Sequence, residues 1–165
     1  MFLLRQLRRA SPQTLWSAAV NSYRIELWTN EGTHLRTLAG KREWFPTWIR
    51  AVSHTPDAPP TPVLVDVMPD DQGLLWILTT IASAKWATAL GAEKDIMGNR
   101  VQRPGTMYMD TMIEVINVQR GRVVARRRVS DPWSGFAAPG ILWRTWVDAE
   151  GSPQVELARI LLVGR

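Results

Sequence analysis

Two stretches of the chain write the same phrase: NSYRIELWTNEGTHL, Asn21 to Leu35, and MDTMIEVINVQRGRVV, Met109 to Val124. Each runs through an alternating strand, a glycine turn and a second strand, so the chain builds one hairpin unit more than once. In the first copy Tyr23, Ile25 and Leu27 alternate with Arg24 and Glu26, the period of a strand with one buried face. Gly32 stands where a tight hairpin needs positive φ, and THLRTLAG reads as the returning strand. TLWSAAV, Thr14 to Val20, precedes the pair as a further strand.

A second unit opens at VLVDVMPDDQGLLWILTTIA, Val63 to Ala82, where Asp70, Asp71 and Gly73 mark a turn between two strands. Leu74 to Leu78 is apolar on both faces, as a strand packed between neighbouring sheets is. Met112 to Val118, Gly121 and Val123 to Val129 supply its later hairpin, and a third, shorter copy runs from ILWRTWVDAEG into PQVELARILLV. The words LW at Leu15, Leu75 and Leu142, and IEL, IEV and VEL at Ile25, Ile113 and Val155, keep one order throughout. Repeats of four antiparallel strands, about 40 to 50 residues each, are the signature of propeller blades. Accidental similarity between the hairpins of a β-sandwich is the competing reading.

LWSAAVNSYRIELWTNEGTHLRTL resembles an NHL-type repeat, and DDQGLLWIL with DTMIEVINVQRGRVVARRRVSD is similar to the last blades of bacterial six-bladed β-propellers of the NHL or TolB-like kind. The resemblance covers most of residues 12–163. It implies an all-β fold: a partial β-propeller, the C-terminal half, made of four-stranded antiparallel blades at about 12–40, 63–129 and 136–163, with residues 1–11 as an N-terminal extension and 12–165 as one domain. A full six-bladed ring takes about twice this strand content, by the blade lengths above. The reading therefore expects the arc to be completed by missing N-terminal blades, by a second copy or by another protein.

Composition narrows the function classes. The 165 residues are 45% apolar, enough for one domain with a real core, and hold nine tryptophans against three phenylalanines. With no cysteine, disulfides and thiolate metal sites are excluded. The net charge of +5 comes from scattered arginines, densest at Arg5, Arg8 and Arg9 and at Arg126 to Arg128. Because side chains alternate along a strand, Arg127 faces away from Arg126 and Arg128, so the run makes no coherent basic surface and argues against nucleic acid. Near the start only Phe2 to Leu4 is a continuous apolar run, too short for the core of an export signal, and no segment approaches a membrane span. The family resemblance implies an exported or periplasmic protein if a signal lies upstream.

In a four-stranded meander alternate joints share an end. The tight turns DDQG, NEG and QRG fall at one end, and the long connections 40–62, 83–110 and 130–136 gather at the other, where functional residues concentrate. That rim carries Trp44, Trp48, Arg50, His54, Trp86 and Trp133, candidates for a small ligand or a protein partner; the alternative is that each Trp caps the core beneath it. SAKWATALGAE predicts a short helix within 83–93, with Trp86 and Leu90 packed on one face. No His pair has metal-ligand spacing, and no cofactor is required by the sequence. Asp66, on the strand expected to be innermost, is the weak metal or base candidate, against satisfaction by neighbouring backbone N–H groups. The leading expectation is a non-catalytic binding segment. The resemblance also implies an alternative, part of a metal-dependent hydrolase or lyase of lactonase-like or amidating-lyase-like type.

Overall fold

A computed structural model describes residues 4–40, 42–49 and 57–163. The chain is all-β. The first sheet is an antiparallel meander of β1 (Arg5–Ser11), β2 (Thr14–Ala19), β3 (Arg24–Thr29) and β4 (His34–Ala39). The second begins with β5 (Val63–Pro69) and β6 (Leu74–Ala82). The chain then leaves it for a one-turn helix α1 (Trp86–Ala89) and a ribbon of β7 (Leu90–Lys94) and β8 (Arg100–Gln102), and returns in β9 (Met109–Asn117) and β10 (Arg122–Ser130). Their order is β5-β6-β9-β10. A third sheet holds β11 (Gly135–Ala138), β12 (Ile141–Val147) and β13 (Pro153–Arg159).

The second sheet is sandwiched between the other two. Trp16, Ala18, Ile25 and Leu38 of the first sheet bury against Leu64, Val67, Leu75, Ile77 and Ile116 of the second. From its opposite face Trp76, Leu78, Ile113 and Val115 pack on Phe136 and Leu142 of the third, with Trp133. Strand β6 thus has no solvent face, which explains its continuous apolar run. The first strands of the sheets converge, with β5 lying against both β1 and β11.

The recurring words acquire a physical meaning from register. In LW, the Leu faces the preceding sheet and the Trp the following one: Leu75 buries toward the first sheet, while Trp76 and Leu142 meet between the second and third. In IEL, IEV and VEL, the Glu lies on the third strand of its sheet, on the same face as that Leu. Each is held by arginine: Glu26 by Arg5 and Arg24, Glu114 by Arg42 and Arg126, Glu156 by Arg144.

Several expectations change. Arg5–Ser11, read as part of an extension, is a strand paired along β2 from Arg5↔Ala19 to Ser11↔Thr14, so the first sheet has four strands rather than three. Alternating charge disguised it: Arg5, Arg8 and Arg9 break the apolar pattern, yet Arg5 and Arg8 reach buried carboxylates. The helix expected within 83–93 is one turn and gives way to a ribbon, whose Asp95 carboxylate organises the turn by accepting the N–H groups of Met97 and Asn99. The third connection ends at Ser134, since Gly135 already begins β11. Gly32 and Gly121 adopt φ of +88° and +64°, as the hairpin turns require. No helix among the described residues is long and apolar enough to cross a membrane.

Trp76 is 5% exposed and stacks edge-on against Phe136, with ring centroids 6.4 Å apart. Trp76→Ala is expected to lower unfolding free energy by about 3 to 5 kcal/mol. Trp48→Ala, at a half-buried rim position, is expected to lower it by about 1 kcal/mol. Urea denaturation of both variants checks the pair, and equal effects would contradict this layering.

Candidate functional site

The rim joints are anchored from within. Trp48 and Asn21 clasp the segment after β4 to the β2–β3 joint: the Trp48 N–H donates to the Asn21 carbonyl at 3.2 Å, and Asn21 Nδ2 donates to the Trp48 carbonyl at 2.8 Å. The Trp48 indole N–H is spent on the Pro62 carbonyl at 2.7 Å. Phe45 is buried, and Trp44 meets it and Tyr23 edge-on at 5.9 and 5.8 Å. Between this segment and the β2–β3 joint opens a cleft of about 730 Å³, walled by Tyr23, Arg24, Arg42, Glu43, Phe45 and Pro46, with Thr47 at its edge.

A buried carboxylate lies beneath it. Glu114 is 1% exposed and accepts the Tyr23 hydroxyl, Arg42 Nε at 3.3 Å and Arg126 Nε at 2.6 Å. The Arg42 guanidinium also lies 4.7 Å from the centre of the Tyr23 ring, and that of Arg126 lies 5.9 Å from the Trp44 ring. Burial pushes the Tyr23 hydroxyl well above its ordinary range, and the Glu114 charge and hydrogen bond add to it, against a smaller opposing pull from Arg42. The phenol therefore stays protonated and donates. At Glu26 burial pushes the pKa up, but hydrogen bonds and charge from Arg24 and Arg5 outweigh it and bring it below the ordinary carboxylate value.

Asp66 is satisfied in full. Its oxygens accept Arg8 Nε at 2.9 Å and Nη2 at 2.7 Å, and the backbone N–H groups of Val67 at 2.8 Å and Phe136 at 2.9 Å. Arg8 also reaches the Phe136 carbonyl at 3.4 Å. One arginine and one carboxylate thus join β1, β5 and β11, and the Arg8 pKa is raised by its hydrogen bond to Asp66. The metal reading of Asp66 loses its free lone pairs to these donors, and no cluster of three His, Asp or Glu is present among the described residues.

The other rim candidates separate. Trp133 is 7% exposed between the second and third sheets, under the Arg144 guanidinium at 4.9 Å, so it caps the core and is not displayed. Trp86 packs beside Ala89, Leu90 and Tyr108, as its helical spacing predicted. Arg50 and His54 lie outside the described residues. The arginine run alternates as expected: Arg126 and Arg128 pair with Glu114 and Asp110 on one face of β10, and Arg127 turns to the other. Sequence reasoning did not assemble Tyr23, Arg42 and Glu114, and the Glu of the repeated IEV word was the signal for it.

Asp66→Ala is expected to destabilise the chain by about 2 to 4 kcal/mol, because it leaves a partly solvated Arg8 and the Phe136 N–H without their acceptor. Urea titration measures this, with elemental analysis alongside; stoichiometric metal lost on substitution would restore the metal reading. For Tyr23 the folded state holds the phenolic proton more tightly than the unfolded chain. Its contribution therefore stands in full below the unfolded value, 10.0, and is lost as pH rises above it. Between about pH 9 and about pH 11, the wild type is expected to lose more stability than Tyr23→Phe in paired denaturation curves, and equal losses would refute the assignment. No protein-family model matches the chain, and a search of curated proteins finds no match.

Proposed function

We propose that the chain is a β-propeller segment of three blades that works as a non-catalytic binding scaffold, with its ligand surface at the rim where the long connections gather. The observation that carries the reading is the rim cleft of about 730 Å³, in which Arg24, Arg42 and Glu43 stand beside the apolar walls of Phe45 and Pro46. Support for the propeller comes from the convergence of β1, β5 and β11 and from the stacking of successive meanders in one face order. The open cleft, in which Arg24 and Arg42 stand with Glu43, suits an extended peptide with a carboxylate side chain, which gains charge-assisted hydrogen bonds from Arg24, 60% exposed at its side chain, and apolar contact from the exposed Pro46. The buried carboxylates of the described residues serve arginines and backbone amides, an arrangement that positions sheets and leaves a hydrolase or lyase reading without an assigned residue.

The test is a peptide array in which acidic, neutral and basic sequences are compared, followed by fluorescence anisotropy on the best binders. Acidic peptides are expected to bind, and Thr47→Trp, at an exposed position on the cleft wall, is expected to weaken them about tenfold or more by filling the mouth. Equal binding by the blocked variant, or no preference for acidic sequences, would overturn the reading.

A further inference from the structure

The stack of three sheets ends on two unlike faces. The outer face of the third sheet carries Val147, Val155 and Leu157, 65, 70 and 63% exposed, in register with Trp143 and Thr145. It is the same kind of face through which Trp16 and Trp76 bury toward the following sheet. The outer face of the first sheet has the opposite character. It presents Leu15 and Glu26 where the second sheet presents Leu75 and Glu114, and it holds a shallow hollow of about 360 Å³ between Leu15, Trp28, Arg5 and Glu26. The chain therefore exposes both halves of a contact it already makes internally.

We infer that a second copy of this chain covers these faces head to tail, the third sheet of each copy seated on the first sheet of the other, so that two contacts related by a two-fold axis close a six-sheet ring. Apolar fit is one argument: Val155 and Leu157 project from a sheet face, and the hollow beside Trp28 receives such side chains. Charge is another. In the internal contact, Tyr23 of the β2–β3 joint reaches the Glu114 of the next sheet. The same packing sets the β12–β13 turn, with exposed Glu150, against Glu26 of the other copy and the two arginines that surround it, Arg5 and Arg24, whose side chains are 29 and 60% exposed. A two-fold axis satisfies both open faces at once with surfaces that the chain itself carries. The inference rests on the propeller arrangement proposed above and shares only Arg24 with the rim cleft, so peptide binding by a monomeric variant would separate failure of one from failure of the other.

Sedimentation velocity over a wide concentration range, on the chain at 18.7 kDa, is expected to show twice that mass. Leu157→Asp and Val155→Asp replace exposed side chains and are expected to keep the circular dichroism of the wild type while weakening the dimer at least about tenfold. Because the chain has no cysteine, Thr37→Cys mixed with Leu157→Cys tests the pairing of faces directly. The mixture is expected to form a disulfide-linked dimer and Leu157→Cys alone is not. A monomer at every concentration, self-linking of Leu157→Cys, or growth beyond two copies would overturn the inference.

Discussion

The carboxylate of Asp66 is buried where three sheets converge, and its oxygens accept four hydrogen bonds from donors on three strands. Arg8 brings two hydrogen bonds from β1, Val67 one from β5 itself, and Phe136 one from β11. A desolvated charge without such partners carries a large penalty, so these strands are held in one mutual placement or the carboxylate is left uncompensated. The apolar faces are less demanding, because hydrophobic burial is non-directional and tolerates sliding. Direction enters through Asp66, and the angular relation of the sheets follows from it.

The same logic is repeated further out. Glu26, Glu114 and Glu156 each sit on the third strand of a sheet and each meets an arginine; Glu114 and Glu156 face the preceding sheet, and Glu26 lies on the corresponding outer face of the first. Next to the apolar Leu and Trp of the LW word, this gives each sheet two distinguishable faces. A stack of identical apolar faces could assemble in either order, but a stack with a charged, arginine-bridged face and a Trp-rich face assembles in one. The internal contact between the first and second sheets is the fullest case, since Tyr23 crosses from one sheet to the Glu114 of the next.

Function, on this reading, is a consequence of where chain length was spent. The turns between strands at one end of the sheets span two to four residues, and the connections that carry extra residues all emerge at the other. Their tryptophans act first as anchors: Trp48 is tied by three hydrogen bonds and Trp133 is buried beneath Arg144. Anchored loops leave a preformed cleft beside the packed rings of Tyr23 and Phe45, and a preformed cleft loses little conformational entropy when it is filled.

The sequence by itself determined most of the strands and the hairpins at β3–β4, β5–β6 and β9–β10. Two-residue alternation marked β3, an unbroken apolar run marked β6, and Gly32 and Gly121 stood at positive φ because only the local turn requires it. It also determined that Arg127 would part from Arg126 and Arg128, which follows from the strand period alone. The tertiary structure decided the rest. Strand β1 was hidden because its charges are satisfied by Glu26 and Asp66, residues distant in sequence, and no local pattern announces such a pairing. For the same reason the sequence left Asp66 open between a metal or base role and satisfaction by backbone N–H groups, and Trp133 between display and capping, until Arg8, Phe136 and Arg144 were placed beside them. Local geometry is written in neighbouring residues, whereas the partner of a buried charge is chosen by packing across the whole chain.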